Sequence, residues 1–275
     1  MMRSFGRALA GANDLVVATA LGHTRIWISM AGLVERVEAE AMEAVAAHPE
    51  APIRIIGHSI GGLIWLEILD RHPDWLARTE ALALLGSPVR GTPLGLYLDL
   101  RGRLIGRDLK ADRRQVAERI AAAVPTLTIA GDLVLRGDGV ISVASTRFNH
   151  TRRIVLPRVS HAGLRWSWRV RRLVGAFFDQ PDAPATDSAG LIARLAALPG
   201  LTKGASRLVW QARPTLLFRD GCTVRVLHRP FRSHQVFVAD SEGLCLFCAC
   251  ISHKAVAGLD RALDEIRREL NGQVV

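Results

Sequence analysis

The sequence predicts an α/β fold: a mostly parallel sheet with helices on both faces, followed by a small C-terminal α+β domain. Three observations carry this. Over the first 178 residues short β-branched runs alternate with longer helical patterns. The strand-like runs are continuously apolar, as strands buried on both faces are, and parallel neighbours need helical crossovers between them. After residues 179–190, "DQPDAPATDSAG", the pattern changes to shorter runs separated by turn residues. The expected organisation is a first domain over 1–178, a linker over 179–190 rich in Pro, Asp, Ala and Ser, and a second domain over 191–275. A chain of 275 residues with 49% hydrophobic side chains can bury one substantial core and a smaller one.

In chain order, "DLVVATA" (14–20) reads as a first strand and "AGLVERVEAEAMEAVAAH" (31–48) as an amphipathic helix. "IRIIG" (53–57) is the next strand, "IGGLIWLEILDRH" (60–72) a helix, and "ALALLG" (81–86) a strand. After an arginine-rich stretch come strands at "TLTIAG" (126–131) and "RIVLP" (153–157), then the helix-like "GLRWSWRVRRLVGAFF" (163–178). Beyond the linker a short helix near 188–198 precedes strands "RLVWQA", "TLLFRD", "CTVRVLHR", "HQVFVAD" and "LCLFCACIS", and an amphipathic helix spans about 254–270. Turn signals such as Asp220-Gly221 and Asp240-Ser241-Glu242-Gly243 separate the runs, which suits an antiparallel meander closed by a helix.

Charge and cysteine usage narrow the function classes. The net charge of +10 is concentrated in the middle third: residues 91–180 carry +9, against −2 for 1–90 and +3 for 181–275. Such a patch suits phosphate-bearing partners or an anionic membrane surface, or else is a solvated arginine-rich face. No apolar run reaches the roughly 18 residues that span a bilayer, and Asn13 and Asp14 interrupt what would be the apolar region of an export signal. All four cysteines lie at or beyond 222, so no disulfide framework supports the main body, and a cytoplasmic location is expected.

The stretch that carries chemistry is "GHSIG", the pattern G-x-S-x-G at Gly57, His58, Ser59, Ile60 and Gly61, set between a strand and a helix. There a serine occupies a strained turn, and side chains at 57 and 61 are expected to collide with neighbouring backbone. Ser59 Oγ then stands at the carboxyl edge of the sheet, beside a helix N-terminus that favours developing negative charge. The alternative is a glycine-rich turn whose serine only caps the helix. A serine hydroxyl needs a base, and the base needs an acid to hold its tautomer. His161, just past a strand in "RIVLPRVSHAGL", is the expected base; His150 precedes that strand and would lie at the opposite edge. Two acids are open: Asp138, in a Gly-Asp-Gly turn with room to reach an imidazole, and Asp132, at the strand end itself. Ile60 N–H is the expected first oxyanion donor.

These residues resemble the α/β-hydrolase superfamily, in its lipase- and esterase-like branch with small bacterial lipases and GPI inositol-deacylase-like proteins. The order Ser59, Asp138, His161 matches that family's nucleophile, acid and histidine. "LLGSPVRGTPLG" (84–95) is similar to its strand-six segment, with Val89 where histidine is common. The resemblance covers about residues 12–178 and implies a serine hydrolase of carboxylic esters acting on a small ester or lipid, without a cofactor. Matched this way, the family's third strand and its oxyanion loop are not seen. Either the start is misplaced or truncated, or the second donor is expected around Leu21, Gly22 and His23, or the protein is an inactive relative serving as a scaffold or binding protein. An acyltransferase with the same triad differs only in its acceptor. Residues 94–125 are long enough for a lid over an acyl cleft, or form an ordinary helix pair.

Other signals are weaker. Cys245, Cys248, Cys250 and His253 suggest zinc, but period two sends Cys245 to the face opposite Cys248 and Cys250, so no metal site is expected. "LPGLTKGAS" lacks the spacing of a phosphate loop and reads as a turn. "RWSWRVRRLV" places Trp166 and Trp168 among arginines, which suits transient contact with a membrane surface or simply the last helix of the sheet layer. No nucleic-acid module is recognisable, and the oligomeric state is not legible.

Overall fold

The computed structural model describes residues 2–20, 29–92, 105–133, 136–229 and 233–275. They form two compact units, Met1–Asp182 and Ala183–Val275, whose boundary falls inside the proline-rich stretch.

In the first unit α1 (Met2–Arg7) precedes α2 (Met30–Ala47), β1 (Ile53–His58), α3 (Ile60–Arg71), a single turn α4 (Pro73–Leu76) and β2 (Thr79–Leu85). Then come α5 (Ile105–Lys110), α6 (Arg114–Ala123), β3 (Thr126–Asp132), β4 (Arg152–Pro157) and α7 (Trp168–Asp179). The four strands pair in the order β1-β2-β3-β4, all parallel. Their nearly unbroken apolar runs leave β2 and β3 buried on both faces, as expected of a parallel sheet. Ile55, Leu82 and Leu84 face a core shared with α2, α3 and α6. On the other face α7 packs against β2 and β3, through an inner stripe of Val170, Leu173, Val174 and Phe177. The stripe follows the i, i+3, i+4, i+7 spacing of an amphipathic helix. In α2 the same logic buries Met30, Leu33, Val34, Val37 and Ala41, and Ser29 Oγ caps the helix by accepting from Gly32 N.

Residues 14–20 correct the expectation of a first strand. They pair with nothing as a strand, and Leu15 and Val17 lie exposed. β-branching expresses a fit to a half-buried pleated surface, and without a neighbouring strand it does not make one. Among the described residues β1 is therefore an edge strand. Of the stretch expected as a lid or helix pair, 94–104 lies outside the described residues. The remainder forms α5 and α6, and Ala117, Ile120 and Ala121 of α6 belong to the main core.

The second unit begins with α8 (Ser188–Ala196), which starts inside the expected linker, with Asp187 capping it by accepting from Gly190 N. Strands β5 (Leu201–Lys203), β6 (Arg213–Leu217), β7 (Thr223–Leu227), β8 (His234–Ala239) and β9 (Cys245–Ile251) pair antiparallel in the order β5-β9-β8-β7-β6. α9 (Val256–Glu269) closes the unit. Leu191 and Leu195 of α8 and Leu259, Leu263 and Ile266 of α9 cover Val224, Val226, Val236 and Val238 on one sheet face. Three expectations fail here. "RLVWQA" is a short 3-10 turn with Val209 and Ala212 buried, not a strand, while the stretch read only as a turn contributes β5. A register shift between Val238 and Ala239, which pair with Phe247 and Cys245, breaks the period-two rule across β9. One extra residue returns Cys245 to the face of Cys248, where both pack beside Phe237. Burial pushes the Cys245 thiol up to about 11 and the Cys222 thiol up to about 12, so neither is a thiolate nucleophile at neutral pH.

Candidate active site

β1 ends at His58 and α3 starts at Ile60, so Ser59 alone makes the turn between them. Its backbone sits at φ 55° and ψ −126°, a left-handed conformation that side chains other than glycine rarely adopt. Such strain costs about 1–3 kcal/mol and persists only where the surroundings impose it. Here the imposing contacts are visible. Ser59 N donates to Leu85 O at 2.9 Å, extending the β1–β2 ladder by one rung. Gly57 lies directly under the first turn of α3: a Cβ on it would meet Gly62 Cα and would come within 2.7 Å of Gly62 N. The close-approach role expected at 61 belongs instead to Gly62, where a Cβ would strike the Ser87 side chain, whereas one at Gly61 meets nothing within 4 Å. The side chain of Ser59 makes no capping bond to α3, which removes the helix-cap alternative.

The other two residues lie on the loops after the next strands at the same carboxyl edge. β3 ends at Asp132 and leads into the loop bearing Asp138; β4 ends at Pro157 and leads to His161. The loops are tied together twice. His161 N donates to Asp138 O at 2.9 Å, and His161 Nδ1 donates to Asp138 Oδ2 at 2.7 Å. Asp138 is only 2% exposed, and its Oδ1 accepts from Val140 N and Ile141 N at 2.9 and 2.7 Å. Burial pushes the Asp138 pKa up, but the hydrogen bonds from His161 and Ile141 and the nearby imidazole outweigh it, and the carboxyl stays below the ordinary range. The bond to Asp138 occupies Nδ1 of His161 and leaves Nε2 to take a proton. Asp132 instead pairs with Arg136 at 3.2 Å, and His150 lies exposed in the turn before β4.

Two contributors are not evident from the motif. Gly86, at φ 58°, floors the pair: a Cβ there would lie 3.1 Å from Asp138 Oδ2 and 3.2 Å from His161 Nδ1. Leu85 holds Ser59 and Gly86 underlies His161, so two adjacent residues at the end of β2 contact both segments. His58, the variable position of G-x-S-x-G, donates Nε2–H to His161 O at 3.0 Å, with ring centroids 4.7 Å apart. Burial, then the neighbouring His161 charge, lowers its pKa to about 4, so at neutral pH it is an uncharged brace rather than a base. Neither was visible in the sequence because both act through contacts between segments far apart in the chain.

Among the described residues Ser59 Oγ makes no hydrogen bond to the imidazole; such bonds are often long before a substrate binds. Ile60 opens α3, so its N–H is one of the helix donors without an intrahelical partner. The turn at Leu21, Gly22 and His23, expected to supply a second donor, lies outside the described residues.

No protein family and no curated protein matches the sequence. Among solved structures, part of the chain is similar to a lipase of Bacillus licheniformis in its propeptide form, at 14% identity and TM-score 0.45, over 58% of this chain and 42% of that one. A metagenomic carboxyl esterase shows 24% identity and TM-score 0.41, over 52% and 54%. A meta-cleavage product hydrolase from Pseudomonas fluorescens shows 16% identity and TM-score 0.38, over 58% and 75%. The chain thus spans less than two thirds of the first two, and a likeness of this size assigns no residue a role. The order of strand, left-handed serine and helix, with Asp138 and His161 following on later loops, is the order expected from the G-x-S-x-G stretch.

Proposed function

We propose that the chain is a serine hydrolase acting on carboxylic esters. Ser59 Oγ attacks the acyl carbonyl as His161 Nε2 takes its proton. Asp138 holds the imidazole in the required tautomer and stabilises the imidazolium, and Ile60 N–H donates to the oxyanion. The proton returns to the departing alcohol, and water then cleaves the acyl-enzyme by the same steps in reverse. The observation that carries this reading is the 2.7 Å bond between His161 Nδ1 and a buried Asp138, at the sheet edge where Ser59 is held in a left-handed turn.

A fluorophosphonate probe should label Ser59 in the folded protein and fail to label Ser59→Ala. Hydrolysis of a short p-nitrophenyl ester should fall at least about 10⁴-fold in that variant. Folded wild-type protein that stays unlabelled by a probe small enough to enter would overturn the proposal.

One observation favours a second reading, a hydrolase-like binding scaffold. β1 is an edge strand among the described residues, so no strand beyond it carries a second oxyanion donor there. Loss of one donor typically costs about 2.7–4 kcal/mol of transition-state stabilisation. In this reading Ser59→Ala changes no measurable property, and any esterase activity lost in the variant excludes it.

A further inference from the structure

The two tryptophans after His161 are not explained by the packing of α7. The inner stripe of that helix is complete without them, and Trp166 and Trp168 are each 57% exposed. They stand at the carboxyl edge of the sheet, Trp166 just past the 3-10 turn that follows His161 and Trp168 at the start of α7. Leu133 and Val140, 47% and 46% exposed, flank the Asp138 loop at the same edge, and Leu133 Cδ2 reaches to 4.0 Å from the Cβ position of Gly139. Four large apolar side chains, each at least 46% exposed, thus rim the Ser59–His161–Asp138 edge.

The charge around them has one sign. Residues 133–178 contain nine arginines, of which Arg152 and Arg153 start β4 at the opposite edge, and a single carboxylate, Asp138, which is buried and bonded to His161. Asp132, at the same edge, is engaged by Arg136. The Arg172 guanidinium lies 5.8 Å from the Trp168 ring centroid, so a cation rides on an exposed indole. Arg158, in the left-handed turn after β4, lies close enough to Arg169 to depress its pKa further, after burial. Exposed indoles with arginines, where Asp138 is buried and Asp132 ion-paired, match the boundary of an anionic bilayer. There indole rings settle at headgroup level, and each cation gains from the negative surface potential.

We propose that this rim docks the first unit on an anionic phospholipid surface, with the mouth of the candidate active site facing the lipid. No described helix is long and apolar enough to cross a membrane, so the contact is peripheral. The docking does not depend on catalysis, and it is tested with Ser59→Ala protein, which separates its fate from that of the hydrolase reading.

The full chain carrying Ser59→Ala is sedimented with vesicles of phosphatidylcholine alone and with vesicles containing one quarter phosphatidylglycerol. It should partition to the anionic vesicles, release at high salt, and show indole quenching by brominated lipid. Adding Trp166→Ser and Trp168→Ser should lower the partition coefficient at least about tenfold and abolish the quenching. Arg171→Gln with Arg172→Gln, at exposed positions, should weaken anionic binding while leaving the smaller binding to neutral vesicles unchanged. With Ser59 restored, the double tryptophan variant should hydrolyse a water-soluble ester as the wild type does. Equal partition to both vesicle types, or full binding by a folded tryptophan variant, would overturn the proposal. So would a vesicle-free dimer whose dissociation follows from the tryptophan changes, because the rim would then be covered by a second copy.

Discussion

His58 and Asp138 are both buried ionisable groups at the site, and their pH behaviour differs in kind. Asp138 keeps its charge because the bond from His161 and two backbone N–H groups outweigh its burial. An Asp138→Asn change preserves an oxygen for Val140 N and Ile141 N but presents the imidazole with a group that no longer selects the Nδ1–H tautomer. If the site acts as proposed, kcat on a p-nitrophenyl ester should fall about 10³–10⁴-fold with little loss of thermal stability. For His58 burial and the His161 charge outweigh the bond to His161 O and the Asp138 charge, and its pKa drops from 6.5 to about 4 on folding. Below pH 6.5 the unfolded chain therefore binds a proton that the native state refuses, so stability falls as pH is lowered toward 4 and changes no further below it. Between pH 7 and pH 5 this amounts to about 2 kcal/mol. Urea unfolding at the two pH values checks it. His58→Gln, whose amide can still donate to His161 O, should flatten the difference; an unchanged slope in the variant would show that another group is responsible.

At the scale of elements, the elbow depends on how closely β1 and α3 approach. Two adjacent glycines should respond oppositely to alanine. Gly62→Ala puts a methyl into the Ser87 side chain, 2.8 Å from its Cβ, and 3.0 Å from Leu84 Cδ2. The cost should be about 1–3 kcal/mol, with loss of fluorophosphonate labelling as the turn shifts. Gly61→Ala meets open space and should stabilise the helix by up to about 1 kcal/mol. Denaturant midpoints of the two variants decide it. The same pair shows what the sequence made legible. β1 to β4 and the strand-serine-helix order could be read because continuous apolar runs and a helical period are local properties. Which glycine bears the contact could not, because it depends on where Ser87, just past the end of β2, lies. The strand expected at 14–20 failed for want of a pairing partner, and Cys245 changed face because a bulge depends on register with β8. His161 and Asp138 were legible through chain order and loop position, while Gly86 and the bracing role of His58 emerge only when the ends of β1, β2 and β4 meet.

At the scale of the molecule, the chain builds two cores of different construction. The first unit gathers residues from Met30 to Phe148 around a parallel sheet, so its contacts span long sequence separations. The second lays α8 and α9 on one face of an antiparallel sheet over residues 191–266. On the opposite face it buries Arg225, which bonds to Thr223 Oγ1 and Val209 O and lies 5.5 Å from the Trp210 ring centroid. A cavity-forming change should therefore be felt first in the core that holds it. Leu66, fully buried in α3, and Leu263, 3% exposed in α9, are matched probes. Each change to alanine should cost about 2–5 kcal/mol, with the larger losses where the neighbours cannot collapse into the space. Hydrogen exchange locates the loss. Leu66→Ala should speed exchange of the amides of β1 to β3, and Leu263→Ala that of β7 and β8, in each case by opening the unit that lost its leucine. If Leu263→Ala instead deprotected β1 to β3 as strongly as β7 and β8, the two cores would have to be treated as one cooperative whole, and the assignment of stability to separate units would fail.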